Sequence, residues 1–269
     1  SLLNESAKFV DIAEKIETKI VELGGKPAFP VDIGIAHIAA HDSPKFNDER
    51  ILKKMDVVKL DLGVHVNGAV TDTAVTIEVG SNNYKKLIDC AEEALSKAIE
   101  IAKPKMKIRE IGKAIQTVMQ SHGFSPIINL SGHGIDLYEV HAKPSIPNFD
   151  NGDNNVLEEG QIIAIEPFVT TGEGKVTEGK PSGVYEFVND KNIRDGNARK
   201  VLAWIKEEYG TLPFSERWLI KRFGSIVKLS LLLLEREGII KQFNVLPEIS
   251  KGIVAQAERT IIVGIGVIN

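Results

Sequence analysis

The stretch KLDLGVHVNGAVTDTAVTI, residues 59–77, decides the fold. It reads as a β-hairpin. Asn67-Gly68 accepts the positive φ angles of a two-residue type I′ turn, and the residues on either side alternate as strands do. A two-residue loop fixes the register, with Val66 opposite Ala69, Gly63 opposite Asp72 and Asp61 opposite Ala74. Leu60, Leu62, Val75 and Ile77 then share one face, while Lys59, Asp61, His65, Asp72 and Thr76 share the other. The two aspartates become diagonal neighbours, roughly 7–8 Å apart at the backbone. Two carboxylates this close on a partly buried sheet repel each other and lose hydration; a bound cation removes both penalties. For the hairpin alone, the competing reading is a solvated acidic face with no ligand.

Bulk composition narrows the classes. A length of 269 residues suits one large domain, or one domain with an insertion. A formal net charge of −4 gives no broad attraction for nucleic acid or anionic membranes. The single cysteine, Cys90, excludes an intrachain disulfide framework and fits a reducing compartment. The longest apolar run, 229–234, is broken by Ser230 and is far short of the ~20 residues of a membrane helix. With no signal-peptide pattern at the start, a cytoplasmic protein is expected.

Working outward, helical spacing over 2–22, with Ser1 as N-cap, predicts a first helix ended by Gly24-Gly25. Strands are expected near 30–38 and through the hairpin. Residues 84–102 and 108–122 read as two amphipathic helices with Pro104 between them. GQIIAIEPFVT (160–170) and IVAQAERTIIV (253–263) read as strands. Helices are expected near 197–209, 215–223 and 225–237, with GIIKQFNVL (238–246) as a small strand pair. The chain is therefore expected to be an α+β domain, 1–189 and 251–269, holding a mostly helical insertion at 190–250.

Several chemistry-bearing residues interrupt apolar surroundings. His133 lies between Gly132 and Gly134, which would let a ligand approach the backbone. Glu166 in AIEPF and Glu258 in AQAERT sit inside apolar strands, where a charged side chain is rarely buried unless paired or liganded. Two Asp, two Glu and one His form a hard, oxygen-rich donor set. It suits two divalent ions about 3.5–4 Å apart that share bridging carboxylates.

In this order the motifs resemble a known family. KPAFPV, IAAH, KLDLGVHVNGAVTDTA, SGH with VHAKPSIPN, IAIEPF, YGTLPFSERW and AQAERT are similar to those of type 2 methionine aminopeptidases of the shorter archaeal kind. The resemblance implies a pita-bread fold with a helical, winged-helix-like insertion. It implies removal of N-terminal methionine from peptides and nascent chains with a small second residue. It also implies two divalent metals (Co, Mn, Fe or Zn), a monomer that works at the ribosome, and no DNA or membrane partner. Asp61 would chelate one metal, Asp72 and Glu258 would bridge both, and His133 with Glu166 would complete the second site. Glu166 is the candidate proton shuttle. His41, in a loop that Pro44 helps to fix, and His141 would touch substrate and act in catalysis, and Phe29 would wall the methionine pocket. His65 shares the carboxylate face, yet the family does not use it as a ligand; His37 and His122 are expected to be structural or exposed.

The chain departs from the family at Asp32, where Asn is usual, at Ala36-His37, where Asn-Glu is usual, and at Asp42, where an aromatic is usual. Its start is expected to lie about one helical hairpin into the family's fold. Two rivals stand beside the main reading: an X-Pro dipeptidase on the same fold, and an inactive relative that binds RNA or the ribosome.

Overall fold

The computed structural model describes residues 2–269. The hairpin forms with the expected register: Val57–Val66 pairs with Ala69–Glu78, placing Val66 opposite Ala69, Gly63 opposite Asp72 and Asp61 opposite Ala74. Asn67 and Gly68 adopt φ angles of +50° and +89°, as a type I′ turn requires. Leu60, Leu62, Val75 and Ile77 pack against Phe9, Ile12 and Ala13 of the first helix, α1 (Phe9–Glu22). The carboxylate face is the more deeply buried of the two, with Val70, Asp72, Ala74 and Thr76 all inaccessible.

Helix α1 starts seven residues later than the spacing suggests, with Lys8 at its N-cap. The residues before it are committed elsewhere. Ser6 N–H donates to Leu52 O, Leu52 N–H donates to Ala7 O, and Lys8 bridges Ile51, so tertiary pairing overrides helical propensity. Ser1, the expected cap, lies outside the described residues.

The hairpin belongs to a four-stranded sheet completed by Lys26–Pro27 and Asp32–Ile35, both paired with Val57–Val66. A five-stranded sheet runs in the order Gly266–Val267, Arg259–Ile262, Ile162–Ile165, Ser131–Asp136 and Glu139–Pro147. Its outer face is covered by α2 (Lys85–Ile101) and α3 (Ile108–Ser121). Leu87, Cys90, Ile111 and Ile115 of these helices share one core with Ile163, Ile165, Ala257 and Ile261. Apolar residues at helical spacing thus meet the buried face of a sheet, which is the arrangement of an α+β layer pair.

The run 160–170 is not one continuous strand. Ile162–Ile165 pairs with Arg259–Ile262, and then Phe168–Thr170 pairs with Val254–Gln256. Pro167 has no N–H to extend a ladder, so the chain changes sheets there. The strands it pairs with change sheets at the same level, through Ala257 and Glu258. Glu166 and Glu258, expected mid-strand, therefore sit side by side at a break between two sheets.

Residues 196–236 form α4 (Gly196–Glu208), α5 (Glu216–Phe223) and α6 (Ile226–Arg236). Asp195 and Ser215 cap α4 and α5 by accepting from Ala198 N–H and Arg217 N–H. The helices pack on a small sheet of Phe214–Ser215, Pro181–Phe187 and Ile240–Asn244. The strand pair expected at 238–246 does not form as a pair. Ile240–Asn244 joins Pro181–Phe187, whereas Leu246–Pro247 joins Ile38–Ala40. The chain thereby passes directly from the helical unit to the strand that leads into His41. No helix among the described residues is long and apolar enough to cross a membrane.

Candidate metal centre

Threonines stitch the hairpin to the last strands. Thr260 Oγ1 accepts from Asp72 N–H (2.7 Å) and donates to Asp72 O (2.8 Å), while Thr76 Oγ1 donates to Gln256 O (2.6 Å). This lateral contact carries Glu258 to Asp72. His133, opposite Ala164, projects its Nε2 to 3.4 Å from Glu166 Oε1 and 3.7 Å from Asp72 Oδ2. Ligand atoms of Asp72, His133 and Glu258 all lie within 4.8 Å of one another. Asp61 joins the group through Gln256, whose Nε2 lies 3.2 Å from Asp61 Oδ2, 3.4 Å from Glu258 Oε2 and 3.5 Å from Glu166 Oε2, with two N–H bonds to share among them. All five residues singled out in the sequence as metal donors are thus brought together.

Gln256 was not singled out in the sequence. Its signal is its place two residues before Glu258, which in an extended segment puts both on one face. The glycines beside His133 also serve a different purpose from the one expected. A Cβ at Gly132 would meet Ala164 O at 2.3 Å, and one at Gly134 would meet Lys143 O at 2.0 Å. They make room for neighbouring strands, not for a ligand.

The electrostatics call for a cation. One amide with two N–H bonds cannot satisfy three carboxylates. Asp61 Oδ1, Asp72 Oδ1 and Glu258 Oε1 are buried and accept no hydrogen bond. Burial pushes the Asp72 carboxyl up to about 7. Burial, reinforced by neighbouring carboxylates, holds Asp61, Glu166 and Glu258 well above the usual carboxylate range. Burial, and then the adjacent His141, lower His133 to about 4, so its imidazole is neutral. Its Nδ1 lies 3.0 Å from Gly134 O, and a carbonyl only accepts. Nε2 therefore turns a lone pair toward Asp72 and Glu166. A neutral imidazole oriented by a backbone carbonyl, facing four carboxylates of which three have an orphaned oxygen, is the donor set of a divalent cation site.

Beside this cluster opens a cavity of about 340 Å³, lined among others by Phe29, His41, His141, Phe168 and Phe243. The Phe29 ring lies over Gly63, where a Cβ would come within 2.3 Å of it. His141 stacks edge-on against His133 with ring centroids 4.6 Å apart, and burial followed by the charge of His41 lowers it to about 4. Burial also lowers His41. Its Nδ1 lies 3.3 Å from Asn244 O and its ring meets Phe243 edge-on at 5.2 Å. Phe243 and Asn244 come from the strand that leaves the helical unit, and no local pattern marks them. His65 accepts from Gly68 N–H in the turn, His122 pairs with Glu93 at 2.8 Å, and His37 lends its carbonyl to Glu248 N–H. None of the three is in the acidic cluster.

One consequence concerns pH. In metal-stripped protein the folded carboxyls keep protons that the unfolded chain has already released between about pH 4 and 7. At these four carboxyls the native state then binds more protons than the unfolded one, so their contribution to stability falls as pH rises through that window, against an opposite contribution from the lowered His133 and His141 in its lower part. Divalent metal takes the place of those protons and removes the decline. Thermal melts of stripped and metal-loaded protein at about pH 5 and about pH 7.5 are expected to differ more at the higher pH. A gap of equal size at both would contradict the electrostatic account.

Residues 3–205 match the model of metallopeptidase family M24. The chain is 47% identical over 264 residues to a methionine aminopeptidase of Pyrococcus horikoshii, spanning 97% of this chain and 89% of that one. In fold it is similar to a thermophilic Arx1 (TM-score 0.81, 18% identity, 97% and 82% of the two chains). It is also similar to a methionine aminopeptidase of Rickettsia prowazekii (TM-score 0.69, 23% identity, 98% and 86%). The architecture is the pita-bread fold.

Proposed function

The chain belongs to metallopeptidase family M24, and from that premise we propose that it removes N-terminal methionine from peptides and nascent chains by metal-assisted hydrolysis. The observation that carries the reading is the cluster of buried carboxylates with orphaned oxygens around a neutral His133. The extent of identity to a methionine aminopeptidase supports it over the X-Pro dipeptidase and RNA-binding alternatives.

Asp61 would hold one divalent ion, Asp72 and Glu258 would bridge two, and His133 with Glu166 would complete the second site. Mn, Fe, Co and Zn all suit this oxygen-plus-imidazole set. Ions bound there make water a nucleophile near neutral pH, by lowering its pKa toward ~7. Glu166, which lies at the edge of the cluster with Oε1 3.4 Å from His133 Nε2, would accept the proton of the attacking water and return it to the leaving amine. His141 would donate to the substrate carbonyl oxygen as negative charge develops. His41 would also touch the substrate. With Nδ1 donating to Asn244 O, its neutral ring offers Nε2 as an acceptor for an N–H of the substrate. Phe29, Phe168 and Phe243 give the cavity apolar walls suited to a methionine side chain. We place the catalytic residues in 1–189 and 251–269, with 190–250 as an insertion that closes one side of the cavity. We also place the activity in the cytoplasm, in a monomer acting at the ribosome.

The test is release of methionine from Met-Ala-Ser by metal-stripped protein with Mn²⁺ or Co²⁺ restored. Release that depends on the metal, with no cleavage of Gly-Pro, is the expected result. Cleavage of Gly-Pro alone would move the assignment to an X-Pro dipeptidase, and neither cleavage in metal-loaded protein would overturn the aminopeptidase reading.

A further inference from the structure

His41 carries a left-handed backbone, with φ of +62°. For a residue with a Cβ this conformation is strained and persists only where the surroundings hold it. What holds it is Asp32. Both carboxylate oxygens of Asp32 are spent on the backbone of the loop: Oδ2 accepts from His41 N–H, and Oδ1 accepts from Asp42 N–H at 2.6 Å. Asp32 is itself fixed. It is buried, and its strand is paired so that it stands opposite Asp61. The far side of the loop is anchored as well. Asp42 O accepts from Ile33 N–H (3.2 Å), and the Asp42 carboxylate pairs with Arg50 Nη1 at 2.7 Å. Arg50 in turn grips Asp48 and lies 4.6 Å over the Phe9 ring. Asp32 also lines the same cavity as His41.

We propose that Asp32 is a positioning residue: by accepting the His41 and Asp42 amides it sets the left-handed turn that aims the His41 ring into the substrate cavity. The Asn244 carbonyl and the Phe243 ring then fix the ring's rotation from the other side. The proposal rests on the aminopeptidase reading for its kinetic consequence, but not for its structural one. Alanine at position 32 leaves two buried amides without an acceptor and frees the turn. Asparagine keeps one acceptor oxygen and turns an NH₂ toward the other amide.

The experiment is a double-mutant cycle with two readouts independent of turnover. Asp32→Ala is expected to lower kcat/KM for Met-Ala-Ser about 10- to 100-fold, mainly in kcat, since displacing a reacting group by an ångström costs that much. Asp32→Asn should recover part of the loss. In a His41→Ala background, Asp32→Ala should cost less than about twofold more, because two changes on one path do not add. Metal content should stay at the wild-type level, and the His41 imidazole Cε1–H resonance should shift in Asp32→Ala. The same loss in both backgrounds, or a fall in bound metal, would show that Asp32 supports the fold or the metal cluster and would overturn the proposal. Should the wild-type chain release no methionine, the functional reading fails by itself, and the His41 resonance then decides: an unshifted signal overturns the positioning role.

Discussion

Replacing Asp72 by Asn is expected to abolish metal-dependent methionine release, by at least about 10³-fold or roughly 4 kcal/mol of transition-state stabilisation. The size follows from its position. Asp72 lies within ligand distance of both His133 and Glu258, and its Oδ1 has no protein partner. Its backbone is clamped in both directions by Thr260, so the asparagine side chain should occupy the same space. The substitution removes the charge and one acceptor oxygen, and it places an NH₂ where a cation would sit. Stability should move the other way. The Asp72 charge contributes to holding Asp61, Glu166 and Glu258 above their usual range, and removing it relieves that repulsion. Metal-stripped Asp72→Asn protein should therefore melt no lower than stripped wild type. Lost activity, lost metal and an intact stripped fold together mark a bridging ligand. A variant that keeps full metal content and activity would contradict the assignment.

What could be read in advance was whatever depends on neighbours along the chain. The hairpin register follows from a two-residue turn and a period of two, so the facing of Asp61 and Asp72 needed no tertiary information. Glu166 and Glu258 announced themselves as charges in apolar runs. Their meeting at a break between sheets did not, since it depends on where Pro167 forces the chain across. The start of α1 was misplaced because residues 6–8 pair with the segment near Leu52, a contact that helical spacing cannot reveal. Gln256 stood within reach of a same-face argument. Asp32, Phe243 and Asn244 did not: each acts on His41 across a contact set by the fold, and Asn244 lies 203 residues away in sequence. The assignment of roles to the five metal donors came from the resemblance, whereas their convergence comes from the sheets.

Glu17→Ala is expected to destabilise the protein by about 3–5 kcal/mol, the range for breaking one side of a buried ion pair. Arg217 in α5 is fully buried, and its guanidinium meets the Glu17 carboxylate of α1 in a two-pronged contact at 2.9 and 2.7 Å. Trp218 Nε1 donates to the same carboxylate at 3.0 Å, and Arg217 Nε donates to Pro44 O at 3.1 Å. The pair thus ties the helical unit to α1 and to the segment that follows His41. Removing Glu17 strands a desolvated guanidinium whose nearest remaining carboxylate is Glu14, at 3.8 Å. For a chain of this size the loss corresponds to a Tm lower by roughly 6–20 °C. The exposed pair Lys19–Glu22 on the same helix, at 3.2 Å, offers the contrast. Such pairs contribute only about 0–1 kcal/mol, so Glu22→Ala should scarcely move the melt. Desolvation makes a further distinction. If the cost comes from the unpaired charge and not from lost attraction, Glu17→Leu combined with Arg217→Met should be less damaging than Glu17→Ala alone. Unfolding followed by tryptophan fluorescence, from Trp204 and Trp218 of the helical unit, measures both. A loss below about 1 kcal/mol for Glu17→Ala, or a double replacement worse than the single, would mean that the two helices are held mainly by their apolar contacts.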